Sequence, residues 1–153
     1  MKLTDILDES SIVADLQAND KTEALEILVE AMTMNTEAVN KEEILNVLLE
    51  REELGSTGIG DGIAIPHGKS SEITQIISGF GLSKQGIPFD SLDGKPAHLF
   101  FLLVAPENSV GTHLKMLARI SRMLKNVEFR KTLLEANSQQ EIYQIISEED
   151  GKY

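Results

Sequence analysis

The chain has 153 residues with 41% hydrophobic and 25% charged side chains, which predicts one domain over residues 1–153 with a core of its own. It has no cysteine, no apolar run long enough to span a membrane and no hydrophobic signal region after Met1, so we expect a cytoplasmic protein without disulfides. The net charge of −11 argues against nucleic acid as a partner and would speed the encounter with a basic protein.

The chain begins with a predicted strand and a predicted helix. Residues 11–18 mix apolar and polar side chains and predict a first strand. Asn19 or Asp20 is the expected N-cap of a helix with apolar residues at helical spacing, which should end at Asn35 and Thr36.

A second helix is predicted to begin after Asn40 and to end before Gly55, a residue type favoured just beyond a helix C-terminus. Arg51 then lies in the last turn of this helix. Its cation either stabilises the helix C-terminus or faces an anion held by the residues that follow, and both interpretations stay open.

The stretch that follows is rich in glycine, with four glycines between positions 55 and 62. Such a stretch lets backbone N–H groups approach a ligand closely. Residues 63–65 predict a short strand that Pro66 should stop, which would present His67 on a stiff turn at the strand's exit. Free N–H groups beside a presented imidazole indicate phosphate chemistry on histidine.

The second half predicts two strands and three helices. Residues 73–82 predict a strand in which Gly79 and Gly81 either weaken the pairing or mark a bulge, and residues 83–95 predict a loop. The apolar run 98–105 predicts a central strand covered on both faces. Three helices follow, starting at Asn108 or Ser109, near Val127 and after Ser138, and the tail from Glu148 should fray. Strands alternating with helices predict a three-layer αβα fold with a central sheet.

Two familiar nucleotide-binding motifs are matched only in part by this sequence. Residues 68–70 match the end of a nucleotide-binding P-loop, but Ile63 stands where that pattern requires glycine. Residues 58–62 resemble a dinucleotide fingerprint whose third glycine is misplaced. The three histidines, at 67, 98 and 113, include no close-spaced pair, so no metal site is predicted.

The three histidines differ in what their positions indicate. His98 opens the most apolar strand, which favours a structural role. His113 falls in the first turn of the third predicted helix, where the helix dipole disfavours the imidazolium, so it either donates to a phosphate or packs under the loop. His67 is the best candidate nucleophile, because its position offers exposure and a fixed direction.

Residues 51–60 (REELGSTGIG) and 63–69 (IAIPHGK) are similar to the signature of the fructose/mannitol-type enzyme IIA of the bacterial sugar phosphotransferase system (PTS). The similarity continues through residues 89–94 and 96–101 and through His113-Leu114, and so covers essentially the whole chain.

This resemblance implies a mixed sheet between helices and a function. Members of the family take a phosphoryl group from the carrier protein HPr onto a histidine and pass it to the IIB unit of a sugar transporter. Carried over by position, the phosphorylated residue is His67, the second active-site histidine is His113 and the active-site arginine is Arg51. The expected phosphate-binding positions are Ser56, Thr57, Gly58 and Gly68.

The resemblance thus predicts a phosphocarrier for sugar uptake, with no metal, no cofactor and no membrane span, peripheral to a membrane transporter. Residues 89–101 look closer to fructose-type members, and the alternative is a nitrogen-regulatory IIA that controls targets by phosphorylation-dependent binding. A basic HPr should dock on an apolar ring around His67, for which Ile59, Ile63 and residues 107–111 are candidates. The arginine and the two active-site histidines should converge on one solvent-open spot.

Overall fold

In the computed structural model, which describes residues 1–34, 36 and 39–153, a six-stranded sheet lies between two layers of helices. The strands are β1 Ile12–Val13, β2 Gly58–Gly60, β3 Ile63–Ala64, β4 His67–Ser70, β5 Ile77–Ile87 and β6 Ala97–Pro106. The helices are α1 Lys21–Thr33, α2 Lys41–Glu53, α3 Val110–Leu124, α4 Val127–Leu134 and α5 Gln139–Asp150, and short 3-10 turns cover Leu3–Asp5 and Glu9–Ser11.

Strand β6 is the centre of a mixed sheet. It pairs antiparallel with β5 on one side and parallel with both β3 and β4, one after the other, on the other side. β1 lies parallel to β5 at one edge, and β2 lies antiparallel to β3 at the other. The predicted three-layer α/β fold is therefore confirmed.

The two faces of β6 belong to two separate hydrophobic clusters. Phe101 and Leu103 pack with residues of α3, α4 and α5, whereas Phe100, Leu102 and Val104 pack with α1 and α2. All five of these side chains have no exposed surface. This alternation confirms that the apolar run is a central strand covered on both faces.

Side-chain caps set where the first two helices begin. Asp20 Oδ1 accepts a hydrogen bond from Glu23 N at 2.9 Å, and Asn40 Oδ1 accepts one from Glu42 N at 2.9 Å. These bonds confirm Asn40 as the cap of α2 and show that Asp20, of the two predicted candidates, is the cap of α1. Helix α1 ends at Thr33, before its predicted end at Asn35 and Thr36. Asn35 lies outside the described residues.

Two strand predictions were wrong in their bounds. The first strand is only Ile12–Val13, because a 3-10 turn takes up Glu9–Ser11. β5 runs on to Ile87 through part of the predicted loop, and its glycines do not weaken it. A Cβ on Gly81 would lie 2.4 Å from Leu28 Cδ2, so this glycine lets helix α1 pack directly on the strand.

The predicted frayed tail is also wrong. Helix α5 continues to Asp150, whose side chain is fully buried. The Asp150 carboxylate accepts from Arg119 Nε at 2.6 Å and from Thr4 N at 3.1 Å. A buried carboxylate with these donors ties the last turn of α5 to α3 and to the first residues of the chain.

No helix within residues 1–34, 36 and 39–153 is long and apolar enough to cross a membrane.

Candidate functional site

The glycine-rich stretch forms a β-hairpin. Gly58 of β2 lies opposite Ala64 of β3, and the turn between the strands contains Asp61 and Gly62, with φ angles of 55° and 76°. Positive φ at both central residues is the geometry that Asp-Gly favours in tight hairpins. The glycines therefore shape a hairpin at the sheet edge, which corrects their interpretation as a phosphate-binding loop.

The hydroxyls and N–H groups next to this hairpin are already used within the protein. Ser56 Oγ donates to Phe89 O at 2.5 Å and accepts from Gly58 N at 3.0 Å. Thr57 donates both its N–H and its hydroxyl to the Glu52 carboxylate, and it is only 4% exposed. Binding of the phosphoryl group by Ser56, Thr57 and Gly58 stays a prediction, and any such contact would have to replace these internal hydrogen bonds.

His67 is the first residue of β4, opposite Leu103 of β6, and not a turn residue at a strand exit as predicted. Its Nδ1 lies 2.7 Å from Ile65 O. A carbonyl oxygen can only accept, so Nδ1 carries the hydrogen and, in the neutral ring, Nε2 holds the lone pair. The contact thus fixes both the tautomer and the direction of the ring.

Three predicted site residues line one open cleft of about 700 Å³. Arg51 enters it from the end of α2, His67 from β4 and His113 from the first turn of α3. Gly68 also lines it, whereas Ser56, Thr57 and Gly58 do not. The cleft brings together side chains from three elements that are far apart in the sequence.

His113 lies beside His67 with a ring-centroid distance of 5.7 Å and an angle of 73° between the ring planes. It is 4% exposed, and its buried Nε2 has no hydrogen-bond partner among the described residues. An unpaired buried polar atom is costly, so a ligand in the cleft would find an unused group there.

Burial lowers the pKa of His113 below its ordinary value of 6.5, and the nearby positive charges of His67 and Lys69 lower it further. At neutral pH the ring is therefore uncharged, and it has one N–H to donate.

Arg51 is held in place by the loop that follows α2. Its Nη1 donates to Gly55 O at 2.8 Å, which leaves the remaining guanidinium donors for an anion in the cleft. The loop itself is anchored by Glu52, whose side chain is 4% exposed and accepts from Thr57 and from Lys21 Nζ at 3.0 Å. A chain of contacts therefore runs from Lys21 through Glu52 and the loop to Arg51.

Sequence reasoning missed two charged residues at this site. Glu52 lies four and eight residues after the buried Leu48 and Ile44, so its helical spacing already placed it on the buried face. Lys69 lies two residues after His67 in β4 and therefore shares its face, and it lines the cleft. Lys69 would have been found if residues 67–70 had been predicted as a strand.

The remaining histidine has a structural role, as its position indicated. His98 Nδ1 donates to Ser83 O at 2.9 Å, and its ring packs over Gly62 and Gly86.

The sequence matches a known family over most of its length. Residues 5–149 match the family described as "Phosphoenolpyruvate-dependent sugar phosphotransferase system, EIIA 2". The chain belongs to this EIIA type 2 family.

Relatives of this EIIA chain carry two kinds of name. It is 41% identical to the "PTS system fructose-specific EIIABC component" of Bacillus subtilis, a match over 98% of this chain and 24% of that protein. It is 39% identical to the "Nitrogen regulatory protein" of Bradyrhizobium diazoefficiens, over 96% of this chain and 95% of that protein. The chain thus spans about a quarter of the first relative and nearly all of the second.

Solved structures agree with the family. The nitrogen regulatory protein IIA-Ntr from Neisseria meningitidis has a TM-score of 0.85 at 32% identity and covers 93% of this chain and 97% of its own. The mannitol IIA of Escherichia coli has a TM-score of 0.77 at 22% identity, covering 91% and 97%, and supports the fold alone.

The pKa of His113 predicts a pH dependence of folding for this EIIA chain. The unfolded chain binds a proton at this histidine below about pH 6.5, whereas the folded chain resists protonation until a lower pH. The free energy of unfolding should therefore fall as pH drops below 6.5, by up to about 1.4 kcal/mol per pH unit. Urea titrations of wild type and His113→Gln from pH 7 to pH 5 check this, and parallel pH curves for both proteins would contradict it.

Proposed function

We propose that this EIIA chain is a phosphocarrier in which Nε2 of His67 accepts a phosphoryl group from phospho-HPr and passes it to a IIB component. The observation that carries the proposal is the Nδ1 contact to Ile65 O, which leaves the Nε2 lone pair available at an open cleft. A nucleophilic histidine requires this arrangement of a neutral ring, a fixed orientation and one free nitrogen.

In the transfer, the phosphorus–nitrogen bond of phosphohistidine in HPr breaks while a new one forms to Nε2 of His67. The electron pair of the broken bond returns to the HPr ring, so no proton has to move at the leaving nitrogen. Such transfers depend mainly on positioning and on charge stabilisation of a loose transition state. In this proposal the side chains of the cleft provide the positioning and the charge stabilisation.

The equatorial phosphoryl oxygens would meet three donors. His113 offers one N–H, and its unpaired Nε2 lies in the buried wall beside His67. Arg51, held by Gly55 O, supplies a fixed cation, and Lys69 supplies a second cation on the same strand face as His67. Gly68 lines the cleft and stays a candidate for a backbone donor.

Exposed apolar side chains around the cleft supply a docking ring for a protein partner. Leu54, Leu114 and Val110 line the cleft and are 86%, 61% and 45% exposed. Ile63, which the sequence suggested for this ring, is 3% exposed and cannot contribute. The acidic Glu50 and Glu53 lie at the same cleft, which suits a basic HPr.

A IIB acceptor is supported by a relative's structure. The solved complex of mannitol IIA with phosphorylated mannitol IIB from Escherichia coli has a protomer with a TM-score of 0.76 to this chain at 21% identity. That complex supports the fold and offers a geometry to test; the acceptor of this chain is part of the proposal.

A regulatory function is the second candidate, and the nitrogen regulatory relatives of nearly equal length favour it. A phosphoryl group on His67 would place negative charge in the middle of an apolar docking ring. Such a change alters the affinity for a partner without any further transfer.

One experiment separates the two candidates. The chain is first labelled with radioactive phosphate from phospho-HPr, and a cognate IIB component with fructose is then added. Loss of label from the protein with formation of sugar phosphate supports the carrier function. Retained label, together with a target whose binding depends on phosphorylation, supports regulation.

Glu52 is expected to act on the transfer through Arg51. Glu52→Gln removes the charge that binds Lys21 and loosens the loop that holds the guanidinium, so transfer should slow by about tenfold, a cost typical of small misplacements. In an Arg51→Gln background the same change should add almost nothing. Rapid-quench transfer rates of the four proteins test this coupling, and additive effects would contradict it.

Lys69 is expected to affect both the transfer and its neighbouring histidine. Lys69→Gln should raise the pKa of His113, because one of the charges that lowers it is removed. Transfer should slow by about fivefold, corresponding to about 1 kcal/mol of lost charge interaction. NMR titration of the histidine ring and rate measurements check this, with Lys41→Gln, at the far end of α2, as the matched control. An unchanged pKa in Lys69→Gln would contradict it.

A further inference from the structure

The positive charges of this acidic chain are concentrated in one segment. Residues 108–134, which form α3 and α4, hold six of the fourteen lysines and arginines but only one of the twenty-five acidic residues, Glu128. A surface that serves solubility alone usually mixes both signs. Segregation of this kind indicates a surface for an anion.

Part of this basic segment surrounds a second cavity of about 440 Å³, which we term the α3 pocket. Lys115, Arg119 and Arg122 line it at helical spacings of four and three residues, so they lie on one face of α3. Thr112 adds a hydroxyl, and the buried Met116 adds an apolar surface. No carboxylate is among the side chains that line the pocket in the described part of the chain.

Two of the three cations, Lys115 and Arg122, are not neutralised by a carboxylate of the described residues. Arg119 is anchored by Asp150, through Nε to Oδ1 at 2.6 Å, and its Nη1 makes no hydrogen bond with the described residues. The side chains of Lys115 and Arg122 have no ion pair or hydrogen bond there either. One buried carboxylate against three cations leaves two uncompensated positive charges at the α3 pocket.

Helix-dipole stabilisation accounts for only part of this arrangement. Arg122 lies in the last turn of α3, where a cation interacts well with the helix C-terminus. Lys115 and Arg119 lie in the second and third turns, beyond the range of that effect. Their grouping around a concave surface therefore requires another explanation.

We propose that the α3 pocket binds the phosphate group of a phosphorylated small molecule. Two uncompensated positive charges match the charge that a phosphate monoester carries near neutral pH. An arginine with a fixed guanidinium plane and a flexible lysine are the side chains that most often bind phosphate. The cavity volume lies within the range of small-molecule sites.

The α3 pocket is separate from the cleft, yet the same helix turn forms both. Thr112 and Lys115 line the pocket, whereas His113 and Leu114 between them line the cleft. A ligand in the pocket would therefore contact the helix turn that positions His113. The site is independent of the proposed phosphocarrier function, because none of its three cations lines the cleft.

The test is an NMR titration of ¹⁵N-labelled protein with inorganic phosphate and then with pyrophosphate, at constant ionic strength. We expect saturable shifts at the amides of Thr112, Lys115, Arg119 and Arg122, and at least tenfold weaker binding in the double variant Lys115→Gln/Arg122→Gln. The matched double variant Lys125→Gln/Lys131→Gln, with the same change of charge just after α3 and in α4, should bind within twofold of wild type. Amide shifts of Gly68 report phosphate in the cleft separately and should persist in both variants.

Three results would overturn the proposal. Shifts that do not saturate, or equal losses in both double variants, would show a general charge effect and no site. A last arm uses vesicles containing phosphatidylglycerol: if these bind wild type and not the Lys115→Gln/Arg122→Gln variant while soluble phosphate fails to saturate, the surface recognises lipid headgroups and the small-molecule site is excluded.

Discussion

Replacement of His67 by Gln is expected to reduce phosphate uptake from phospho-HPr to background. The amide of Gln has no nucleophilic lone pair at the position of Nε2, and the other imidazole of the cleft, that of His113, is only 4% exposed. Incubation with enzyme I, HPr and labelled phosphoenolpyruvate, followed by measurement of acid-labile label on the protein, gives the result directly.

His98→Gln is the matched control for this experiment. His98 carries the same kind of hydrogen bond, from Nδ1 to a backbone carbonyl, but it lies under the hairpin and away from the cleft. This variant should take up one phosphate per chain provided that its circular dichroism matches wild type. Stoichiometric label on the His67→Gln protein would remove His67 from the proposed function.

Replacement of His113 by Ala is expected to slow the transfer by about a hundredfold while leaving slow, stoichiometric labelling. Loss of one preorganised donor to a transferring group typically costs on the order of 10²–10³ in rate. The nucleophile itself is unaffected, because the Nδ1 contact of His67 to Ile65 O does not involve α3. Rapid-quench measurement of the single-turnover rate with excess phospho-HPr tests this.

A variant that keeps a donor distinguishes donation from packing. His113→Gln places an amide N–H near the original ring position, and it should recover part of the lost rate, whereas His113→Leu fills the space without a donor and should not. Equal rates for the Gln and Leu variants would mean that His113 packs against His67 without contacting the phosphoryl group.

The parts of the fold that local chemistry determines could be predicted from the sequence. The caps Asp20 and Asn40 act within three residues of themselves, and the apolar run of β6 has one possible environment, a sheet covered on both faces. The extension of β5 to Ile87 could not be predicted, because it depends on pairing with Ala97 on the far side of a loop. The role of Gly81 could not be predicted for the same reason, because this glycine makes room for helix α1, which packs against the strand.

The candidate site, too, has residues that could be predicted from the sequence and contacts that could not. Arg51, His67 and His113 were found from helix ends, the strand exit and family resemblance, and the structure places all three at one cleft. The internal hydrogen bonds of Ser56 and Thr57 could not be predicted, because a hydroxyl after a glycine looks the same in sequence whether it binds a ligand or a buried neighbour. Their partners, Phe89 O and Glu52, become visible only when the loop is folded against α2.

The buried Glu52 and its partner Lys21 fix the geometry of the loop beside the cleft. Glu52 and Lys21 form an ion pair whose side chains are 4% and 18% exposed, and such largely buried pairs contribute little net stability. They do fix a unique geometry, and here the geometry fixed is that of the loop holding the Arg51 guanidinium. The cleft therefore rests on a rigid sheet strand on one side and on an anchored helix end on the other.

The most direct test of the phosphocarrier proposal is the histidine ring NMR spectrum of the phosphorylated protein. Two-dimensional ¹H–¹⁵N correlation of the imidazole nitrogens shows which nitrogen of which histidine carries phosphorus. The Nδ1 contact to Ile65 O predicts a single phosphohistidine, His67, bonded at Nε2, with Nδ1 still protonated. Phosphorus on Nδ1 of His67, or on His98 or His113, would contradict the account.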